Sequence, residues 1–387
     1  MTILVKGNIV TGDGIRAGAV VVENGIISEI TTKAGRAEKS YDFGEQLILP
    51  GFIDIHMHGQ ADYGIFEVED IIGIAQNQLQ FGTTGFVPTA ASLDEEKYHK
   101  FASNVHQAQD KNPQSNARIF GAHFEGPFIN PLRKGGMDAD FLRLPDISET
   151  QRYIEAAGDI IKIMTLSPEL KGSNSVIQLL KDHGIVASLG HSSATKEDLE
   201  KAVEAGLGHI CHLFNAFEKK KDNKDSWKWV PGLIEAILVN DTLAVELNCD
   251  LQHVLPEHLK LAVKACGDER IVAITDSMQG AGCKPGEYKT TDGREYSTRD
   301  RIAKLTSDGT IVGSILTMDK AFANLVNVCG LEIERVAKFT SANPAKVLGV
   351  DKKFGTIEPG KYADLAVLDS GFNCVATFVN GEKVYGD

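Results

Sequence analysis

Pro50-Gly51-Phe52-Ile53-Asp54-Ile55-His56-Met57-His58-Gly59 is a short apolar run that ends in two histidines two residues apart. Side chains two apart on a strand share a face, so His56 and His58 point to one side at the strand's end. Gly59 then lets the backbone pass close by. The same plan recurs along the chain. Glu125 ends His123-Phe124-Glu125, His191 follows Leu189-Gly190, His212 follows Ile210-Cys211, and Asp276 follows Ile274-Thr275. Eight strand-like runs begin near Phe52, Gly85, Arg118, Ile160, Ile185, His209, Leu243 and Ile271. Helical patches lie between several of them; in 196–205, Leu199, Ala202 and Val203 recur at helical spacing. Alternating strands and helices indicate parallel βα units. Eight of them indicate an α/β fold, a (β/α)8 TIM-like barrel, whose chemistry sits at the C-terminal strand ends.

Outward from the barrel, both chain ends are rich in strand signals. Ala19-Val20-Val21-Val22 runs into Asn24-Gly25 and then Ile26-Ile27, a hairpin pattern. A second Asn-Gly pair, Asn380-Gly381, separates Thr377-Phe378-Val379 from Lys383-Val384-Tyr385, downstream of the strand-like run from Ala363 to Leu368. The expected organisation is a small β-sandwich domain from residues 1–50 plus 351–387, with the barrel spanning 51–350.

The 387 residues are 42% hydrophobic and 24% charged, with a formal net charge of −13. An acidic balance excludes a nucleic-acid binder, which needs a basic surface, but permits a small anionic substrate in a locally basic pocket. No run of about 18 apolar residues spans a membrane, and the N-terminus lacks a signal-peptide pattern. Cys211, Cys249, Cys266, Cys283, Cys329 and Cys374 form no C-x-x-C pair; a reducing, cytoplasmic setting is expected.

Imidazole and carboxylate at several strand ends are the ligand types of a borderline divalent ion such as zinc. Taken singly, a histidine is more often a surface or core residue; the common register of these residues is what points to a metal site. His99, His106, His183 and His258 lie in helix-like or polar stretches and are expected to be solvated. His123 and His209 are expected in the core or behind the ligands. Strand alternation turns Cys211 away from His212, toward the barrel wall or helix layer.

The chain resembles the amidohydrolase superfamily and, within it, the N-acetylglucosamine-6-phosphate deacetylases. The matching pieces are residues 50–59, His123-Phe124-Glu125-Gly126-Pro127-Phe128, Gly190-His191-Ser192, His212-Leu213-Phe214-Asn215-Ala216, Thr275-Asp276-Ser277-Met278, Gly313–Met318, Asn343-Pro344-Ala345 and 355–365. They cover essentially the whole chain. The resemblance implies that Glu125, His191 and His212 hold the principal metal and that His56 and His58 hold a second ion. Zinc is expected, as one or two ions per chain, with iron and manganese as the other candidates. Asp276 would take a proton from the attacking water and deliver it to the leaving amine, and His253 would polarise the amide carbonyl. Asn215, Ala216, Ile311, Val312 and Gly313 match segments that touch the sugar. A homodimer acting on a small amino-sugar is implied.

Two positions depart from that family. Its loop after Glu-Gly-Pro carries a substrate-touching histidine where this chain has Gly136-Met137, and its phosphate-binding arginine, which reaches across the dimer, is here Trp229. Neither methionine nor tryptophan holds a phosphate bidentately. The intervening run, 218–229, carries five lysines and both tryptophans. Three readings stand for it: lysines binding phosphate as point charges, tryptophans stacking on an unphosphorylated sugar, or a solvated loop. The activity is thus read as deacetylation of N-acetylglucosamine-6-phosphate. The alternatives are N-acetylgalactosamine-6-phosphate, an unphosphorylated N-acetylhexosamine, or another amide such as an N-acyl amino acid. A non-catalytic sugar-binding barrel would have no use for Asp276.

Overall fold

In the computed structural model, residues 1–33, 37–218, 230–290, 293–299 and 302–386 are described. Eight parallel strands form the barrel: Phe52–Met57, Thr83–Ala90, Ala122–Glu125, Ile161–Leu166, Val186–Leu189, His209–Ile210, Ala244–Asn248 and Ile271–Ile274. They pair in chain order from first to eighth. The first and eighth meet just beyond their ends, where His58 N–H donates to the Ser277 carbonyl at 2.7 Å and Asp276 N–H to the His56 carbonyl at 2.9 Å. Barrel closure therefore lays the histidine pair directly against Asp276.

The third strand is broken at Gly121, where φ is +142° and an added Cβ would lie 2.5 Å from the Ile160 carbonyl oxygen. Only glycine fits that turn. Arg118–Ile119 pairs with the second strand before the break and Ala122–Glu125 continues after it.

Ile53, Ile55, Val87, Ile163, Val272 and Ile274 share one apolar cluster, closed by Ala345 and its neighbours. One step further along the strands the buried residues turn polar: Thr89, His123, Thr165, Ser188, His209 and Glu246. The first strand shifts register against the second between Asp54 and Met57. Beyond that shift His56 and His58 meet the ligand-type side chains, although Ile53 and Ile55 hold the opposite strand parity.

The two chain ends build one hydrogen-bonded path of seven strands, in the order Glu382–Tyr385, Cys374–Val379, Leu365–Leu368, Lys39–Pro50, Thr2–Thr11, Gly14–Glu23, Ile26–Thr31. Val5, Val20 and Val22 from one half and Leu365, Val367 and Phe378 from the other share a core. The path thus folds over on itself, and both Asn-Gly pairs occupy its turns. Arg118 links this sheet to the barrel by its ion pair with Asp364 at 2.8 Å and its place against the rings of Phe354 and Tyr362.

A four-stranded antiparallel insert follows the eighth strand: Glu287–Lys289, Glu295–Ser297, Ile302–Leu305 and Ile311–Ser314. The sequence reading did not anticipate it, because its strands are only 3 or 4 residues long. Its last strand returns to the barrel, with Ser314 N–H donating to the Asp276 carbonyl at 2.8 Å. No helix among the described residues is long and apolar enough to cross a membrane.

Candidate metal centre

The chain leaves the fifth, sixth and eighth strands in the left-handed region: φ is +50° at His191, +26° at His212 and +51° at Asp276. Non-glycine residues seldom adopt it, and where the surrounding structure holds them there a functional reason is common. Each turn swings its side chain over the barrel mouth.

Two ligand groups result. His191 Nε2 and His212 Nε2 lie 3.0 and 2.9 Å from Glu125 Oε1 and 3.1 Å from each other. Glu125 Oε2 faces the other pair, 3.7 Å from His56 Nε2 and 3.5 Å from His58 Nε2. Asp276 Oδ1 completes the second group at 3.2 Å from His58 Nε2 and 3.7 Å from His56 Nε2. One carboxylate thus spans both groups, one oxygen to each.

The protons are directed away from these centres. His191 Nδ1–H donates to the Arg133 carbonyl at 2.8 Å and His58 Nδ1–H to the Thr89 carbonyl at 2.8 Å. His56 Nδ1–H donates to Glu246 Oε2 at 3.0 Å. The Nε2 lone pairs of all three rings therefore face inward. His56 Nε2 is buried with no hydrogen-bond partner, a costly state for a polar atom. Converging lone pairs and a carboxylate, with their protons turned outward, fit a cation at each group.

The carboxylates carry charge suited to that task. Burial alone would raise Glu125, but the adjacent His56, His191 and His212 rings outweigh it and hold the carboxyl well below the usual range. Burial is likewise overcome at Asp276, by the adjacent His58 and His56 rings, so it stays ionised. His123 is neutral, its pKa pushed well down by burial and by His56. Its ring nitrogens meet the Thr89 and Thr165 hydroxyls at 3.3 and 2.8 Å. Like His209, it stands behind the ligands, as expected.

Glu246 is the residue that the sequence reading missed. It is 0% exposed in the seventh strand. Besides accepting from His56, its Oε2 accepts from the backbone N–H of His212 at 2.9 Å. One buried oxygen thus braces a ligand of each group. Burial would raise its pKa, but His56 and His209 bring it down to about 2. The signal was present as a lone charge inside the apolar run Ala244-Val245-Glu246-Leu247. Replacing Glu246 by glutamine is expected to weaken metal retention about 10- to 100-fold, the usual cost of losing a ligand's outer partner. Equilibrium dialysis against a chelator measures it, and unchanged retention would remove Glu246 from the site.

His253 follows the seventh strand. Its Nδ1–H donates to Asp250 Oδ2 at 2.6 Å, and this bond overcomes burial to raise the ring's pKa. The ring lines a cavity of about 660 Å³ above the ligand groups. Gly136, Met137, Asn215, Ala216, Ile311, Val312 and Gly313 line the same cavity. Gly313 has φ +141° and an added Cβ would meet the Asp276 carbonyl at 2.9 Å, so glycine is needed where the insert crosses the site. Met137 is buried, its Sδ accepting from the Ser92 hydroxyl at 3.2 Å. Trp229 and the lysines of 219–228 lie outside the described residues.

Cys211 corrects an expectation. Its Sγ lies 3.6 Å from His56 Nδ1 and 3.9 Å from Glu125 Oε1, inside the barrel rather than in its wall. The sixth strand ends at Ile210 and His212 is left-handed, so alternation does not carry through the pair. Burial pushes the thiol well above its ordinary pKa, which leaves it protonated and a poor nucleophile.

Comparison with known proteins follows the same lines. A model described as the amidohydrolase family matches residues 47–384. An N-acetylglucosamine-6-phosphate deacetylase of Bacillus subtilis (strain 168) is 32% identical over 380 residues, covering 96% of this chain and 93% of the relative. An N-acetylgalactosamine-6-phosphate deacetylase of Escherichia coli O157:H7 is 30% identical over 339 residues, 87% of each chain. The structure of a mutant N-acetyl-D-glucosamine-6-phosphate deacetylase from Mycobacterium smegmatis, in complex with N-acetyl-D-glucosamine-6-phosphate, superposes with a TM-score of 0.90 at 27% identity over 99% of both chains.

Proposed function

We propose an activity for this chain from one premise, that it belongs to the amidohydrolase family. The activity is hydrolysis of the acetamide of N-acetylglucosamine-6-phosphate to glucosamine-6-phosphate and acetate, a step of amino-sugar catabolism. The deacetylase relatives support the substrate. The observation that carries the chemistry is the Glu125 carboxylate spanning two histidine pairs, with Asp276 beside the second. Glu125, His191 and His212, with His56, His58 and Asp276, would hold a divalent ion, which would supply Lewis acidity and a more acidic water. We infer zinc, one or two ions per chain, from the nitrogen and carboxylate donors. We infer a homodimer from the resemblance and a reducing, cytoplasmic setting from the six unpaired cysteines.

The chain's own groups divide the remaining work. Asp276 is ionised and takes a proton from the attacking water, then returns it to the departing amine nitrogen. His253 is anchored through Nδ1–H by Asp250, and in its imidazolium form, which that bond favours, Nε2–H also donates to the carbonyl oxygen as charge develops there. Asn215, Ala216 and the stretch from Ile311 to Gly313 bound the space for the sugar.

The test is acetate release by the full-length, zinc-loaded protein from N-acetylglucosamine-6-phosphate. Turnover in the ordinary enzyme range, about 1–1000 s⁻¹, is expected; no acetate release sinks the reading. The galactosamine epimer is the second candidate, because one relative of similar identity carries that activity in its name. Comparing kcat/KM for the two sugars assigns the epimer.

A further inference from the structure

The chain leaves the third strand at Glu125 and makes a long excursion before the helix Ile147–Ala157. The ends of that excursion are tied together, with Arg143 N–H donating to the Pro127 carbonyl at 3.3 Å, as in compact surface loops that carry function. The loop reaches over the barrel mouth. Its Arg133 carbonyl accepts from His191 Nδ1–H at 2.8 Å, and Gly135, Gly136, Met137, Asp138 and Phe141 line the reaction cavity. Two anchors hold its far side. The Arg133 guanidinium meets the Ser193 hydroxyl at 2.8 Å and Glu218. Arg294, from the insert, donates to the Gly136 carbonyl at 2.9 Å.

Arg143 holds the near side. Its Nη1 donates to the Leu93 carbonyl at 2.9 Å and to the Phe141 carbonyl at 2.7 Å. Leu93 follows the second strand, and both residues line the cavity, so Arg143 acts on the cavity through them. The rest of the guanidinium is locked from behind. Nε–H donates to Glu149 Oε1 at 2.7 Å and Nη2–H to the Tyr153 hydroxyl at 2.6 Å. That hydroxyl donates in turn to Glu149. Tyr153 is buried, its ring edge-on to Phe124, the neighbour of Glu125. An ion pair would need only Glu149. Two carbonyls on loops from different strands are what a planar fork of five donors joins in one fixed geometry.

We propose that Arg143 is a positioning residue: it sets the separation of the loops after the second and third strands, and so the width of the cavity that receives the substrate. The kinetic part of this proposal rests on the deacetylase reading above. A cavity wall acts on substrate and transition state alike, so loss of the clamp raises KM more than it lowers kcat.

The experiment uses the full-length, zinc-loaded protein and its Arg143→Gln, Arg143→Lys and Tyr153→Phe variants. Arg143→Gln is expected to raise KM for N-acetylglucosamine-6-phosphate about tenfold while kcat falls less than about threefold. Arg143→Lys should recover part of that loss. A merely structural role would lower the yield of folded protein and leave KM alone, so unchanged KM in folded Arg143→Gln overturns the proposal. If Arg143→Gln does not fold, Arg143→Lys carries the same test. An equal KM shift in Tyr153→Phe, which removes neither carbonyl bond, also overturns it. Hydrogen exchange reads the clamp without turnover. The amides of Met137, Phe141 and Leu142 bond to carbonyls of the same loop, and they are expected to exchange at least about tenfold faster once Arg143 is replaced. Faster exchange in a protein that deacetylates neither sugar epimer sinks the deacetylase reading and keeps the clamp. Unchanged exchange overturns the clamp whatever the kinetics.

Discussion

Glu125→Ala is expected to empty both ligand groups and to lower turnover about a thousandfold or more. The size follows from the position of the carboxylate. Oε1 lies 2.9 and 3.0 Å from His212 and His191, and Oε2 lies 3.5 and 3.7 Å from His58 and His56. One truncation removes an anionic donor from each group, leaving only two histidines in the first and His56, His58 and Asp276 in the second. Lewis-acid stabilisation is worth several kcal/mol in the transition state, and about 1.4 kcal/mol is a factor of ten. Elemental analysis after dialysis is expected to show metal below about a tenth of the unmodified protein's. Circular dichroism should show the barrel intact, because the apolar layer of Ile53, Val87, Ile163 and Val272 does not include Glu125. Full metal content together with full turnover in Glu125→Ala would place the chemistry elsewhere.

Asp276→Asn separates proton transfer from metal binding. Asparagine keeps the shape and the oxygen near His58, but it is neutral and cannot accept the water's proton. General acid–base groups contribute about 10²–10⁴-fold, so kcat should fall about a thousandfold. The group of Glu125, His191 and His212 does not include Asp276, and metal retained there is expected in the variant. KM should change much less than kcat, since the lost interaction belongs to the transition state. Unaltered kcat in a metal-replete variant would give the proton shuttle to another residue.

The strand-end pattern was legible because it is local. His56 and His58 sit two apart, and an apolar run before each of Glu125, His191, His212 and Asp276 marks a buried strand ending in a polar residue. The hairpins at Asn24-Gly25 and Asn380-Gly381 were equally local, since the φ > 0 demand of the turn is written in the pair itself. Glu246, Arg294 and Cys211 were not readable in this way. Glu246 gains meaning only because His56 and the His212 backbone converge on it from the first and sixth strand ends. Arg294 reaches the cavity through an insert whose short strands carry little periodicity. Cys211 misled because alternation was extended past the end of its strand into a left-handed turn.

By itself the sequence determined that polar, ligand-type residues end a series of barrel strands, because strand periodicity and the C-terminal placement of chemistry are properties of short segments. Tertiary structure decided which of those residues meet. Closure of the first strand on the eighth brings His58 to Asp276, and distant carbonyls at Thr89 and Arg133 fix which nitrogen of each ring turns inward. It also decided that Glu125 would be shared between two histidine pairs and that Glu246 would brace both. Those outcomes depend on contacts between residues many positions apart, which only a closed barrel brings within hydrogen-bond distance.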